Sequence, residues 1–139
     1  MPFRDIANIA GSAMAAESVR LNTIASNLAN ADSAAGSEDA AYRARKPVFA
    51  ALITDGFQGT GAGARVQVLD VVPSTEPVRK AYEPANPVAD EEGMVFYSNV
   101  NTVAEMTDMM SASRAFESSV QVLGRVNAMQ QSLLKLGEG

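Results

Sequence analysis

The residues that could carry chemistry are few, and each candidate lacks a partner its chemistry requires. Gly59, Gly61 and Ala64 have the spacing of a dinucleotide fingerprint, but a strand-like run follows where that fingerprint needs a helix N-terminus. Gly56 and Gly61 have Walker spacing, yet Ala62 and Gly63 stand where Lys and Ser or Thr would hold phosphate and magnesium. Asp90-Glu91-Glu92-Gly93 lacks the spaced oxygen ligands of a calcium loop and reads as a solvated turn. The Met106, Met109, Met110 group reads as core packing. Arg43, Arg45 and Lys46 form a basic cluster suited to the acidic patches of a neighbouring subunit. The chain has no His and no Cys, which removes the commonest general base and all thiolate chemistry. The sequence therefore reads as a non-enzyme with no catalytic, cofactor-binding or metal residues.

The 139 residues suffice for one modest domain. Hydrophobic residues make up 47% but aromatics only 6%, so alanine supplies much of the apolar count and the core should be thin. A net charge of −5 argues against nucleic acid as a partner. A cysteine-free chain fits any compartment, oxidising ones included. No 18-residue apolar run is present, so no transmembrane helix or membrane insertion is expected. The start, Met1-Pro2-Phe3-Arg4-Asp5, does not read as a cleaved secretory signal.

What remains is a pair of long helices. From Thr102 to Leu136 small or apolar residues recur three and four apart: Val103, Met106, Met109, Ala112, Phe116, Ser119, Leu123, Val126 and Leu133. Thr102 and Glu105 have capping-box spacing, and Gly137 would end the helix. At 1.5 Å per residue such a rod is roughly 50 Å long. Its acids (Glu105, Asp108, Glu117) and bases (Arg114, Arg125, Lys135) balance, and its other face carries Ser111, Ser118, Gln121, Asn127, Gln131 and Ser132. A solvated helix face normally carries more charge. Uncharged polar groups cost less to cover with protein, so more than one face is expected to be buried. Phe3 to Ala31 is a second helical pattern. Phe3, Ala7, Ala10, Met14, Leu21, Ile24, Leu28 and Ala31 form a seam interrupted by Glu17, and its charges also cancel.

Residues 32–101 form a different middle segment. A loop is expected over 32–42, strands at Val48–Ile53 and Arg65–Val72, a glycine-rich connection over 55–63, and a last strand at Met94–Tyr97. Between the later strands an extended passage is marked by Pro73, Pro77, Pro84 and Pro87. The middle holds ten acids and six bases and should be the more solvated part. The expected fold is mainly α with a small β or extended middle. Residues 1–31 and 102–139 would pair as an antiparallel coiled-coil-like hairpin. One reading closes that hairpin as a self-contained domain; the other packs it against further copies or relatives, which the scarcity of charge favours.

Several stretches together resemble the flagellar rod and hook (axial) protein family, most closely its proximal-rod members. They are Ala25-Ser26-Asn27-Leu28-Ala29-Asn30-Ala31, Tyr42-Arg43-Ala44-Arg45-Lys46-Pro47-Val48-Phe49, residues 82–93, Asn99-Val100-Asn101 leading to Glu105-Met106, and residues 109–117. Met94 and Phe116 stand where tyrosine is common, and Ser118-Ser119 replaces a usual Ala-Asn. The resemblance implies a structural subunit of the bacterial flagellar basal-body rod. Such a subunit is exported uncleaved by the flagellar type III apparatus and polymerises in the periplasm with itself and other rod proteins. Its terminal helices would pack into an inner tube, with the middle outside. On this reading Phe3, Met14, Leu21, Ile24, Leu28, Met106, Phe116, Leu123 and Val126 pack the helices. Ser26, Asn27 and Asn30 hydrogen-bond between subunits. The alternative is a soluble helical adaptor or chaperone forming a small oligomer. Export without cleavage predicts a mature chain beginning at Met1 or Pro2. Mass spectrometry of assembled basal bodies checks this, and removal of some twenty residues would refute it.

Overall fold

The computed structural model describes residues 3–54 and 63–137. Its elements are α1 (Phe3–Ala29), β1 (Ala34–Ala35), β2 (Arg45–Thr54), β3 (Gly63–Pro73), β4 (Arg79–Tyr82), β5 (Met94–Tyr97) and α2 (Thr102–Gly137). Two helices thus enclose a middle of strands, as the sequence pattern predicts. The glycine-rich connection, with Gly56, Gly59 and Gly61, falls largely at 55–62, outside the described residues.

The two helices lie against each other with their contacts in opposite order along the sequence. Asn27 meets Glu105, Arg20 meets Asp108, and Ile6 to Ala13 flank Ser118 to Val122. Small buried side chains hold them, Ala10 and Ala112, with Ile24 and Val126 as the larger buried residues. Glu17, the intruder on the α1 seam, lies 3.5 Å from Arg20, and Arg20 also reaches Asp108 on α2 at 3.5 Å. The seam charge is thereby tied across the helix pair.

Both helix ends differ in detail from the sequence expectation. α1 stops at Ala29, where the Asn30 side chain donates to the Ser26 carbonyl (2.8 Å). Ala31 leaves the seam and packs instead with Ala44, Val100 and Tyr42. α2 is capped by Asn101, whose side-chain oxygen accepts from the Ala104 N–H (3.1 Å). The Thr102–Glu105 capping box does not form, because Glu105 turns inward. Gly137 is the last residue of α2 rather than a residue beyond it.

The middle contains two sheets. β2 and β3 form the expected long antiparallel hairpin, from Arg45 opposite Pro73 to Thr54 opposite Gly63, with an irregularity between Val48 and Phe49. It lies along α1, where Phe49 and Val66 face Ala13, Ala16 and Glu17. The other sheet has the order β1-β5-β4, all antiparallel. Sequence reading found β5 alone. β1 falls where a loop is expected and β4 within the proline-marked passage. Val95 on β5 is 0% exposed, which makes the central strand the anchor of this sheet.

The turn before β5 is built by Asp90, whose Oδ1 accepts from the Glu92 N–H (3.0 Å) and the Met94 N–H (2.7 Å). Nearby, Glu83 accepts from Tyr97 Oη (2.9 Å) and Asn86 Nδ2 (2.9 Å). These bonds, that of Asn86 first, hold the Glu83 carboxyl below its ordinary range, while Glu83 raises the Tyr97 phenol. Gly93 closes the turn at φ 79°, and a Cβ there would stand 2.9 Å from the Tyr82 ring and 3.1 Å from Pro84. Gly93→Ala should therefore destabilise the chain by about 1–3 kcal/mol. Denaturant unfolding measures this; an unchanged midpoint would refute it.

Candidate subunit interface

The polar centre from which the interface is built is the side-chain amide of Asn27, 1% exposed near the end of α1. Its Nδ2 donates to the Arg45 carbonyl (2.8 Å) and to Glu105 Oε2 (3.1 Å). Its Oδ1 accepts from the Arg45 N–H (2.9 Å) and from Tyr42 Oη (3.0 Å). The Arg45 N–H can only donate, so the orientation of the amide is fixed by chemistry. Both donors and both acceptor positions are filled. Tyr42 uses its own proton on Asn27, so the Ser26 hydroxyl, 3.2 Å away, donates to Tyr42 Oη.

Glu105 lies 5% exposed at the far end of this network. Beside it is a cavity of about 190 Å³ also lined by Arg20, Arg45, Lys46 and Asp108. A buried carboxylate is tolerable only where donors face it, and Asn27 Nδ2 donates to it here. Sequence reading missed this role for Glu105 because its position three residues after Thr102 also fits a capping box. The Tyr42 and Asn27 roles were within reach, since both lie in the stretches quoted above as distinctive.

The proposed packing residues separate into three groups. Ile24 and Val126 are buried between the helices. Phe3, Met14, Leu21, Leu28, Phe116 and Leu123 are half-buried. Met106 is 58% exposed, as is its neighbour Met110 at 59%, so only Met109 of the methionine group is partly covered. The reason is geometric. Steps of three from Val103 through Met106 and Met109 to Ala112 rotate the stripe by about 60° each, so Val103 points opposite to the buried Ala112. Asn27, expected to bond between subunits, has all four hydrogen-bonding positions of its amide filled within the chain. The basic cluster is dispersed: Arg43 faces Glu38 (3.6 Å) and donates to the Glu76 carbonyl, Arg45 stacks on Tyr42, and Lys46 remains exposed.

The surface left over is apolar. Val103, Met106 and Met110 line the outer side of the first turns of α2, and Met129, Leu133, Leu134 and Leu136 are exposed near its end. An open groove between the helices is lined by Ile6, Ile9, Ala10, Ala13, Ser118, Ser119 and Val122, without a charged residue. A monomer rarely leaves contiguous apolar surface of this kind uncovered. Among the described residues no group of three or more acids could hold a metal, and no helix is long and apolar enough to cross a membrane.

Comparison with known proteins gives consistent matches. A family model described as "Flagella basal body rod protein" matches residues 8–36. A second, "Flagellar basal body rod FlgEFG protein C-terminal", matches residues 91–136. The chain is 46% identical over 138 residues to the flagellar basal-body rod protein FlgC of Salmonella typhimurium, covering 99% of this chain and 100% of that one. It is 40% identical to FlgC of Yersinia enterocolitica over the same extent. It is 30% identical to FlgC of Borreliella burgdorferi, covering 95% of each chain.

The Asn27 network predicts strong coupling between distant positions. Asn27→Ala leaves Glu105, Tyr42 and the Arg45 backbone short of partners and should cost about 3 kcal/mol. In a cycle with Glu105→Ala, unfolding should reveal a coupling of about 1 kcal/mol or more; additive effects would refute the network.

Proposed function

This chain belongs to the FlgC family of flagellar basal-body rod proteins, and from that premise we propose a rod subunit that works by packing alone. It is a structural protein of the flagellar basal body, contributes to flagellum-dependent motility, and is not an enzyme. We infer that it occupies the proximal rod in the periplasm, beside other rod proteins and further copies of itself. It reaches that place uncleaved through the flagellar type III export apparatus.

The observation that carries this reading is the uncovered, nearly neutral surface of α2, with the charge-free groove between the helices. Residues 1–31 and 102–139 form the tube-building unit, paired in the manner of an antiparallel coiled coil. Residues 32–101 lie outside it and meet neighbours. Ile24 and Val126 fasten the pair. Phe3, Met14, Leu21, Leu28, Phe116 and Leu123 are shared between the pair and adjoining subunits, and Met106 faces a neighbour outright. Ser26 and Asn30, both half-exposed, supply hydrogen bonds to a neighbour. The rival reading, a soluble helical adaptor with a small oligomeric state, would leave the same surface covered in a closed assembly.

Light scattering after size exclusion, with and without other rod proteins, separates the two. A rod subunit joins larger assemblies only with rod partners, whereas a defined oligomer of the chain alone supports the adaptor. Leu133→Asp lies on the exposed end of α2, so it should leave unfolding of the monomer within about 0.5 kcal/mol of the parent. It should nonetheless abolish incorporation into rods, because the carboxylate would be buried there without a partner. Amide exchange adds a further check. Much of the burial that offsets the backbone entropy of the distal helix comes from neighbours, so 113–135, beyond the buried Glu105 and Ala112, should exchange readily in a verified monomer. Strong protection there favours the adaptor.

A further inference from the structure

The β2–β3 hairpin has a face whose side chains are exposed among the described residues. Side chains alternate along a strand, and Pro47 and Phe49 face the helices. Lys46, Val48 and Leu52 therefore share the opposite face, together with their cross-strand neighbours Val72, Asp70 and Arg65. All six are exposed. Asp70 is occupied by the Val71 N–H at 2.7 Å, whereas no ion pair among the described residues engages Lys46 or Arg65. The result is an apolar centre flanked by two cations, with the Asp70 carboxylate opposite Val48 between them, on a chain whose net charge is −5.

The complementary surface lies on the other sheet. Glu91 and Glu92 project from the turn that Asp90 holds rigid, and neither has an ion-pair partner among the described residues. The Tyr82 ring lies against Gly93 in the same turn and is largely exposed, and Val88 in the same connection between β4 and β5 is exposed as well. This gives two acids beside an apolar platform, the mirror of two cations beside valine and leucine. Among the described residues no ion pair joins the two surfaces within one chain. We propose that the outer face of the hairpin in one copy docks on the Tyr82–Glu92 turn of the next copy. Lys46 and Arg65 then face Glu91 and Glu92, and Val48 and Leu52 meet Tyr82 and Val88. Unlike surfaces meet, so the contact is heterologous and propagates from copy to copy instead of closing as a two-fold dimer. The inference rests on the rod reading and names the partner of the middle segment.

Charge reversal tests it in cells that assemble flagella, with incorporation into isolated basal bodies as the readout. Lys46→Glu with Arg65→Glu, or Glu91→Lys with Glu92→Lys, should each lower incorporation by about tenfold, corresponding to roughly 1.4 kcal/mol of contact energy. All four positions are exposed, and unchanged circular dichroism melts would show that the fold survives. Two rescues are expected. The chain carrying all four reversals should incorporate again, and so should a mixture of the two defective chains, since each then offers the other a matching surface. Rescue by both establishes a contact between copies. If either reversal leaves incorporation unchanged, or if neither combination restores it, the inference is overturned and a different protein, or none, meets the hairpin. If even the unaltered chain is absent from basal bodies, the rod reading itself fails.

Discussion

The arrangement depends on the closure of one amide. Asn27 sits on α1, 18 residues before Arg45 and 78 before Glu105, and it bonds to both at once. Its two-way bond with the Arg45 backbone acts like a strand-to-strand link, so the start of β2 is held to a helix without a sheet between them. The bond to Glu105 holds the first turns of α2 against the last turns of α1. Three segments that meet late in the sequence are thereby fixed by a side chain with two rotatable angles. No shorter or longer residue would satisfy all four groups. Aspartate would offer no donor, and glutamine would displace the amide by a methylene.

Once that corner is fixed, the remainder of the helix pair needs little specificity. Ala10 and Ala112 let the axes approach, and close approach of small residues supplies dispersion without large cavities. Little apolar area is buried per residue, however, so the pair is thin. The three-stranded sheet compensates locally through Val95, which is fully buried on its central strand. The chain thus divides its stability. One compact region lies around β5 and the Asn27 corner, and the distal parts of both helices retain apolar surface.

Much of this was legible in the residues. Helical periodicity located both helices to within two residues, since long amphipathic patterns are strong signals. Two strands with β-branched runs and the short Met94–Tyr97 strand were legible for the same reason. β4 was not, because Arg79-Lys80-Ala81-Tyr82 has neither β-branched residues nor apolar alternation and is a strand only through its pairing with β5. The interface residues were partly legible. Periodicity identifies a stripe, but steps of three wind that stripe around the helix, so Met106 faces out although it belongs to the same series as Ala112. The inward role of Glu105 was hidden, because local capping and a contact 78 residues away make the same demand on residue type. Long-range hydrogen bonds leave no period in a sequence.

The distribution of charge has a further consequence for assembly. Neutral, apolar helix faces attract any similar surface, and their attraction depends weakly on salt. Alone they would bind strongly but choose poorly among related helices. The charged middle supplies what they lack, because paired surfaces of opposite sign penalise wrong neighbours through like-charge contact and fix register. Exposed ion pairs contribute little energy, so they cannot drive assembly. They can reject a mismatched partner, since each unpaired or like-charged contact carries a cost that the helices alone would not impose. Holding the two functions on separate segments also protects the free chain. The adhesive helix faces gain fully only when several neighbours cover them together. A subunit built this way is selective at first contact and held fast only once its neighbours are in place.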